Sequence, residues 1–248
     1  MLFEQLIPPG VPEVPEQLFA NLELGAQAPR DRPYVVCNFV ASLDGKATVG
    51  GRTSPLSDPS DRAAFHLLRS QVDAVSVGTG TLRVERYGPL VRQEQIAGIR
   101  EAAGMSPRPL AVVISRTGAI PYDIPLFRDP DSEVALYLPV SAPEPPDCEA
   151  RLHVHRLEGG GADLSSVLLS LREHHDVRSL LCEGGPLLFN SLIAADLVDE
   201  LFLTLAPTLV GGGEHAVTEG PSVPLSLGLQ LIRALVHDSQ LFLRYARN

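Results

Sequence analysis

The 248-residue sequence predicts an α/β fold built on a mostly parallel sheet. Short apolar runs alternate along it with segments of helical period, the order in which parallel strands and crossover helices follow one another. Several of those runs end in turns rich in glycine, acid or hydroxyl residues, and loops at the carboxyl ends of parallel strands converge on a ligand crevice.

Met1 to Arg32 is rich in proline and polar residues and reads as an irregular or partly helical arm rather than a core element. A single domain is expected over 33–248. Tyr34 to Val40 reads as a strand. Pro59 to Gln71 reads as a helix with Ala63, Ala64, Leu67 and Leu68 on one side, and Ala74 to Val77 as a buried strand, which completes a β-α-β unit. Leu110 to Ile114, Val134 to Leu138 and Leu152 to Leu157 are further strand candidates. Asp163 to His174 has the period of an amphipathic helix capped by Asp163. After Leu180 to Cys182 and a helix over Leu187 to Ala195, a strand is expected at Val198 to Ala206. Gln230 to Val236 and Gln240 to Tyr245 then form a C-terminal antiparallel hairpin turned by His237-Asp238-Ser239. The apolar Leu197 to Leu205 segment reads as core, with a dimer contact as the further expectation.

Leu180-Leu181-Cys182-Glu183-Gly184-Gly185-Pro186 carries the most chemistry. Two glycines let the backbone approach a ligand, and Pro186 is preset for a first helical turn whose free N–H groups face an anion. Glycine turns between strand and helix also arise for geometric reasons alone. Three other loops follow strands: Ala41 to Lys46 places an acid, a glycine and a base together, Val77-Gly78-Thr79-Gly80-Thr81 offers small residues and hydroxyls, and Ile114-Ser115-Arg116-Thr117-Gly118 pairs a hydroxyl with a guanidinium. The second lacks a full G-x-G-x-x-G, so it is no Rossmann fingerprint.

A net charge of −10 argues against duplex nucleic acid or an anionic membrane as partner. No uninterrupted apolar stretch is long enough to cross a bilayer, and Met1 to Gly10 has no signal-peptide pattern, so a cytoplasmic protein is expected. Cys37, Cys148 and Cys182 are widely spaced, which fits reduced thiols with neither disulfide nor zinc. His153 and His155 share one face of a strand, but the sequence offers no evident third ligand, so no metal is expected. The Gly211-Gly212-Gly213 loop either contributes to the crevice or only releases the chain from a strand.

Ala41-Ser42-Leu43-Asp44-Gly45, Leu67-Leu68-Arg69, Gly78-Thr79-Gly80-Thr81, Ile114-Ser115, Glu183-Gly184-Gly185 and Val198-Asp199-Glu200-Leu201, in this order and spacing, resemble the riboflavin-pathway pyrimidine reductases. The resemblance runs from about Pro33 to Arg247 and is to the reductase half of the bifunctional deaminase/reductase. The sequence contains neither H-x-E nor P-C-x-x-C, so any deamination is expected elsewhere. The resemblance implies a dihydrofolate reductase-like mostly parallel sheet flanked by helices, NADPH as hydride donor, and a homodimer. It implies a phosphorylated pyrimidine substrate, 5-amino-6-(5-phosphoribosylamino)uracil or a close analogue, reduced by hydride transfer to ribose C1′.

By position, the resemblance puts Thr53, Arg69, Arg92 and Glu183 against substrate. It puts Val40, Pro55, Thr81, Glu85, Ser115, and the turn from Gly184 and Gly185 through Pro186, Leu187 and Leu188 to Ser191, against cofactor. Arg69 and Arg92 suit the substrate phosphate, and Ser115 with Arg116 suits the 2′-phosphate of NADPH. Asp44, or a water held by Glu183, is the proton handler expected. Pro55 and the Arg83 to Pro89 segment depart from the family pattern, which keeps a dihydrofolate or pterin reductase open beside the pyrimidine reductase. A non-catalytic nucleotide-binding protein is the third reading.

Overall fold

A computed structural model describes residues 1–158, 163–223 and 226–248. Its ten strands form one sheet, in the order β1-β9-β10-β8-β2-β7-β3-β4-β5-β6. The parallel part comprises β2 (Tyr34–Ser42), β3 (Ala74–Gly78), β4 (Leu110–Ile114), β5 (Glu133–Pro139), β6 (Arg151–Leu157), β7 (Ser179–Cys182) and β8 (Glu200–Ala206). The antiparallel edge comprises β1 (Glu4–Ile7), β9 (Leu229–His237) and β10 (Gln240–Arg247), the last pairing with β8. This is the mostly parallel sheet with a C-terminal hairpin that the sequence predicts. Asp238 and Ser239 both have positive φ, 44° and 67°, as the tight turn between twisted strands requires.

Strand alternation assigns each apolar residue to one of two layers. Val36 faces the layer of helices α2 (Pro59–Arg69), α3 (Thr79–Glu85) and α4 (Glu94–Ala102), together with Leu67, Leu68, Leu82 and Ile96. Val35 and Cys37 face the layer of α5 (Leu164–His175) and α6 (Pro186–Ala194), with Val167, Leu171, Phe189 and Leu192. Central strands covered on both faces read as continuous apolar runs, which is why β3, β4 and β7 were legible without alternation. Helix α2 starts at Asp58, whose carboxylate accepts from Ser60 N and Asp61 N at 2.8 Å each, with Pro59 at the first helical position. Asp163 caps α5 in the expected way, accepting from Ser165 N at 3.1 Å.

Two expectations are corrected. The Gly78 to Thr81 segment is not an open loop, because Thr79–Glu85 continues as α3 straight from the end of β3. The N-terminal arm is partly helical, with α1 at Pro15–Leu18, but it also belongs to the core. Its β1 pairs with β9, Phe3 is fully buried against Phe242 at a ring-centroid distance of 4.7 Å, and Leu18 and Leu24 are buried beside it. Polar and proline-rich composition hid these few apolar anchors, since no periodic pattern connects them.

If the arm is structural, Phe3→Ala lowers unfolding free energy in urea by about 3–5 kcal/mol, the usual cost of emptying a buried aromatic site. A change below about 0.5 kcal/mol would return the arm to the surface.

Candidate active site

The loops after β2, β3, β4 and β7 meet over the carboxyl edge of the sheet and line one cavity of about 450 Å³. At its centre β7 delivers Glu183, followed by Gly184 and Gly185 at φ of 119° and 83°. Those angles lie where side-chain-bearing residues are strained, and they turn the chain abruptly into α6. The turn packs backbone to backbone against β3. Gly78 N donates to Gly184 O at 2.9 Å, and a Cβ at Gly185 would lie 3.4 Å from Gly78 Cα. No side chain among the described residues caps α6, and Gly184, Gly185, Pro186, Leu187 and Leu188 at its start all form part of the cavity wall.

Glu183 is held from behind by a buried ion pair. Arg69 donates from Nε to Oε1 at 2.5 Å and from Nη2 to Oε2 at 2.7 Å, while Nη1 donates to the Leu90 carbonyl. The guanidinium also lies 4.2 Å from the centre of the Phe65 ring. Burial opposes the Arg69 charge, but Glu183 outweighs it and leaves the pKa above its ordinary value. Burial, then the Glu183 charge, pushes up the Tyr87 phenol beside them. The sequence suggests Arg69 for the substrate phosphate; the structure pairs it with Glu183 instead. It is spent on Glu183 and is not part of the cavity wall.

A second wall comes from α3 and the loop after β2. Thr53 donates from its amide at 3.2 Å and its hydroxyl at 3.0 Å to Glu85 Oε1, and both residues line the cavity with Thr81. The third wall was not read from the sequence. Glu214 accepts from Thr48 Oγ1 at 2.7 Å and from Gly50 N at 2.8 Å, so the segment after the glycine loop closes on the loop after β2. His215 and Glu219, 3.0 Å apart, then line the cavity beside the start of α6, where Glu219 N donates to the Pro186 carbonyl at 3.3 Å. No periodicity marks these residues; the only signal was the Gly211 to Gly213 loop just before them.

The other expected residues separate. Arg116 is exposed at the rim, while Ser115 is buried beneath it, where its Oγ accepts from Gly118 N at 3.0 Å and it forms no part of the wall. Phe39 lines the cavity instead of Val40, because neighbouring strand residues point to opposite faces. Pro55 is exposed and outside the wall. Arg92 is also exposed and outside it, lying so close to Gly88 that a Cβ there would stand 1.7 Å from Arg92 Nη2. Burial, then the charges of Arg69, Arg62 and Arg92, lowers the His66 pKa to about 4. Asp44 does not reach the cavity. Its carboxylate accepts from Ser42 Oγ at 2.6 Å, Val210 N at 3.1 Å and Gly211 N at 2.7 Å, and these bonds hold it far below the usual carboxylate range. It ties two loops together, and so strong an acid is a poor proton donor near neutral pH.

Comparison with known proteins agrees with this architecture. The model of the RibD C-terminal domain matches residues 33–241. The 2,5-diamino-6-ribosylamino-4(3H)-pyrimidinone 5′-phosphate reductase of Archaeoglobus fulgidus is 31% identical over 194 residues, covering 77% of this chain and 88% of that protein. Its counterpart from Methanothermobacter thermautotrophicus is 28% identical over 221 residues, covering 86% and 98%. Among solved structures, a pyrimidine reductase-like protein from Corynebacterium diphtheriae superposes with a TM-score of 0.78 at 22% identity, over 95% of this chain and 99% of the other, and so shares the fold. On the family match and these relatives, the chain belongs to the RibD C-terminal domain family.

Proposed function

We propose that this protein is an NADPH-dependent reductase of riboflavin biosynthesis that reduces a ribosylamino-pyrimidine 5′-phosphate at ribose C1′. The observation that carries the reading is one cavity shared by the Glu183 wall and a glycine cradle, in a chain whose relatives are named for that reduction. Those names favour the 2,5-diamino-pyrimidinone as the close analogue reduced here. The cradle suits a dinucleotide pyrophosphate, because the uncapped start of α6 offers amides and Gly78 and Gly185 let the two turns that bear it meet backbone to backbone. Exposed Arg116, with no salt bridge among the described residues, suits the 2′-phosphate alone, without Ser115.

When bound, the reduced nicotinamide supplies the hydride. The protein supplies alignment: Thr53 and Glu85 present polar groups to the opened sugar, and Arg69 keeps the buried Glu183 in place. Arg69 is thus a positioning residue. A water held by Glu183 is the proton handler in this scheme, and Asp44 takes no part. Arg92, exposed and without a carboxylate partner among the described residues, remains the arginine for the substrate phosphate. Half-buried Leu201, Leu203 and Leu205 of β8 pair with Tyr245, Leu243 and Leu241 of β10 and present one apolar face, which suits a homodimer contact.

Purified protein oxidises NADPH with the diamino-pyrimidinone or its uracil analogue and not with dihydrofolate; oxidation with dihydrofolate alone would assign the folate-type reductase, and binding of NADPH without turnover would leave a nucleotide-binding protein. In the same assay Arg116→Ala weakens NADPH binding roughly ten- to a hundredfold, as expected for a lost charge-assisted contact, and leaves NADH binding unchanged. Arg69→Met leaves Glu183 buried and unpaired, so it costs about 3–5 kcal/mol in denaturant titrations. Displacement of Glu183 also lowers kcat/KM by about a hundredfold in the protein that remains folded; wild-type turnover there would remove Arg69 from the mechanism. Leu243→Asp sediments as a monomer if the β8-β10 face is the dimer contact, and an unchanged sedimentation coefficient would reject that face.

A further inference from the structure

At the far edge of the sheet, the last turn of α5 covers β6 and gathers histidines that the sequence keeps apart. His153 and His155 share a face of β6, and His174 and His175 end the helix above it. His155 Nε2 and His175 Nε2 stand 2.8 Å apart. The His155 ring is stacked on Tyr137, with centroids 4.6 Å apart and planes 11° apart, so its direction is set by packing. The His153 ring meets His175 edge-on at 5.2 Å, and its Nε2 is buried without a hydrogen-bond partner among the described residues, with Glu133 Oε2 3.4 Å away. The pair is half-exposed, and His175 and Glu133 border an open polar groove, which gives solvent a path to it.

Two imidazole nitrogens this close either share one proton or turn two lone pairs toward one cation. Nitrogen ligands about 2.0–2.1 Å from a metal and at right angles to each other lie about 2.9 Å apart, close to the separation seen here. The carbonyl end of α5 adds negative potential.

We propose that His155 and His175 form a two-histidine chelate for a late first-row divalent cation of the Ni²⁺ or Cu²⁺ type, which clamps the end of α5 to β6. Among the described residues no three histidine, cysteine or carboxylate side chains already converge to hold a metal, so water completes the coordination sphere. On binding, the proton shared between the two Nε2 atoms moves to Nδ1 of its own ring, and each Nε2 gives its lone pair to the cation. His153 and Glu133 stand beside the chelate and orient its water.

The test is calorimetric titration of the tag-free full-length protein with NiCl₂ near neutral pH, paired with thermal melts. The expected result is saturable uptake of one equivalent and a rise in Tm. His155→Gln and His175→Gln each weaken uptake roughly tenfold or more and abolish the rise, while His237→Gln changes neither. Absence of saturable binding, or uptake by both variants equal to that of the starting protein, would overturn the proposal.

Discussion

The buried pair of Arg69 and Glu183 is the constraint on which the rest of the site depends. Removing both charges from water costs several kcal/mol per ion, and the bidentate contact together with a third donor bond to the Leu90 carbonyl offsets it. One side chain thereby joins the last turn of α2, the end of β7 and the segment leading into α4. Glu183 cannot swing away without leaving Arg69 unpaired inside the protein, so its buried carboxylate has a single orientation beneath the cavity wall. The aromatic ring of Phe65 flanks the guanidinium and limits its own freedom.

Around this fixed point the parallel sheet sets the geometry. β7 lies between β2 and β3, so the turns that follow β2 and β3 open on the same edge, each one strand spacing from the turn after β7. Gly78, Gly184 and Gly185 allow two of those turns to touch through backbone atoms, leaving the start of α6 bare. Opposite, Glu214 gathers Thr48, Gly50 and Gly51, and Asp44 does the same for Val210 and Gly211. Two carboxylates thus serve as loop fasteners, each saturated by neutral donors, while Glu183 alone is paired with a buried cation.

The same division explains which sequence expectations held. Glycine turns, the Asp58 and Asp163 caps and the continuous apolar runs are local, and each has one conformational meaning wherever it occurs. Side-chain partners are not local. Arg69 and Glu183 are 114 residues apart, Asp44 and Gly211 are 167 apart, and His155 and His175 meet only because α5 returns across β6. An arginine in a crevice reads as a ligand for an external anion until the fold reveals that the protein carries its own. Val40 and Phe39 illustrate the finest scale of this problem: one residue of register decides which of them faces the cavity.

By itself the sequence determined the order of the strands and helices apart from β1, α1, α3 and α4, the parallel sheet with its antiparallel end, the position of the glycine cradle and the family these features mark. These follow from hydrophobic period, capping and turn chemistry, which act over a few residues. Only the tertiary structure decided that Arg69 positions Glu183, that Asp44 fastens loops, that His215 and Glu219 close the cavity, and that the N-terminal arm fills the core through Phe3. Those outcomes depend on which distant groups come within hydrogen-bonding or packing range, and that distance is set by the folded chain as a whole.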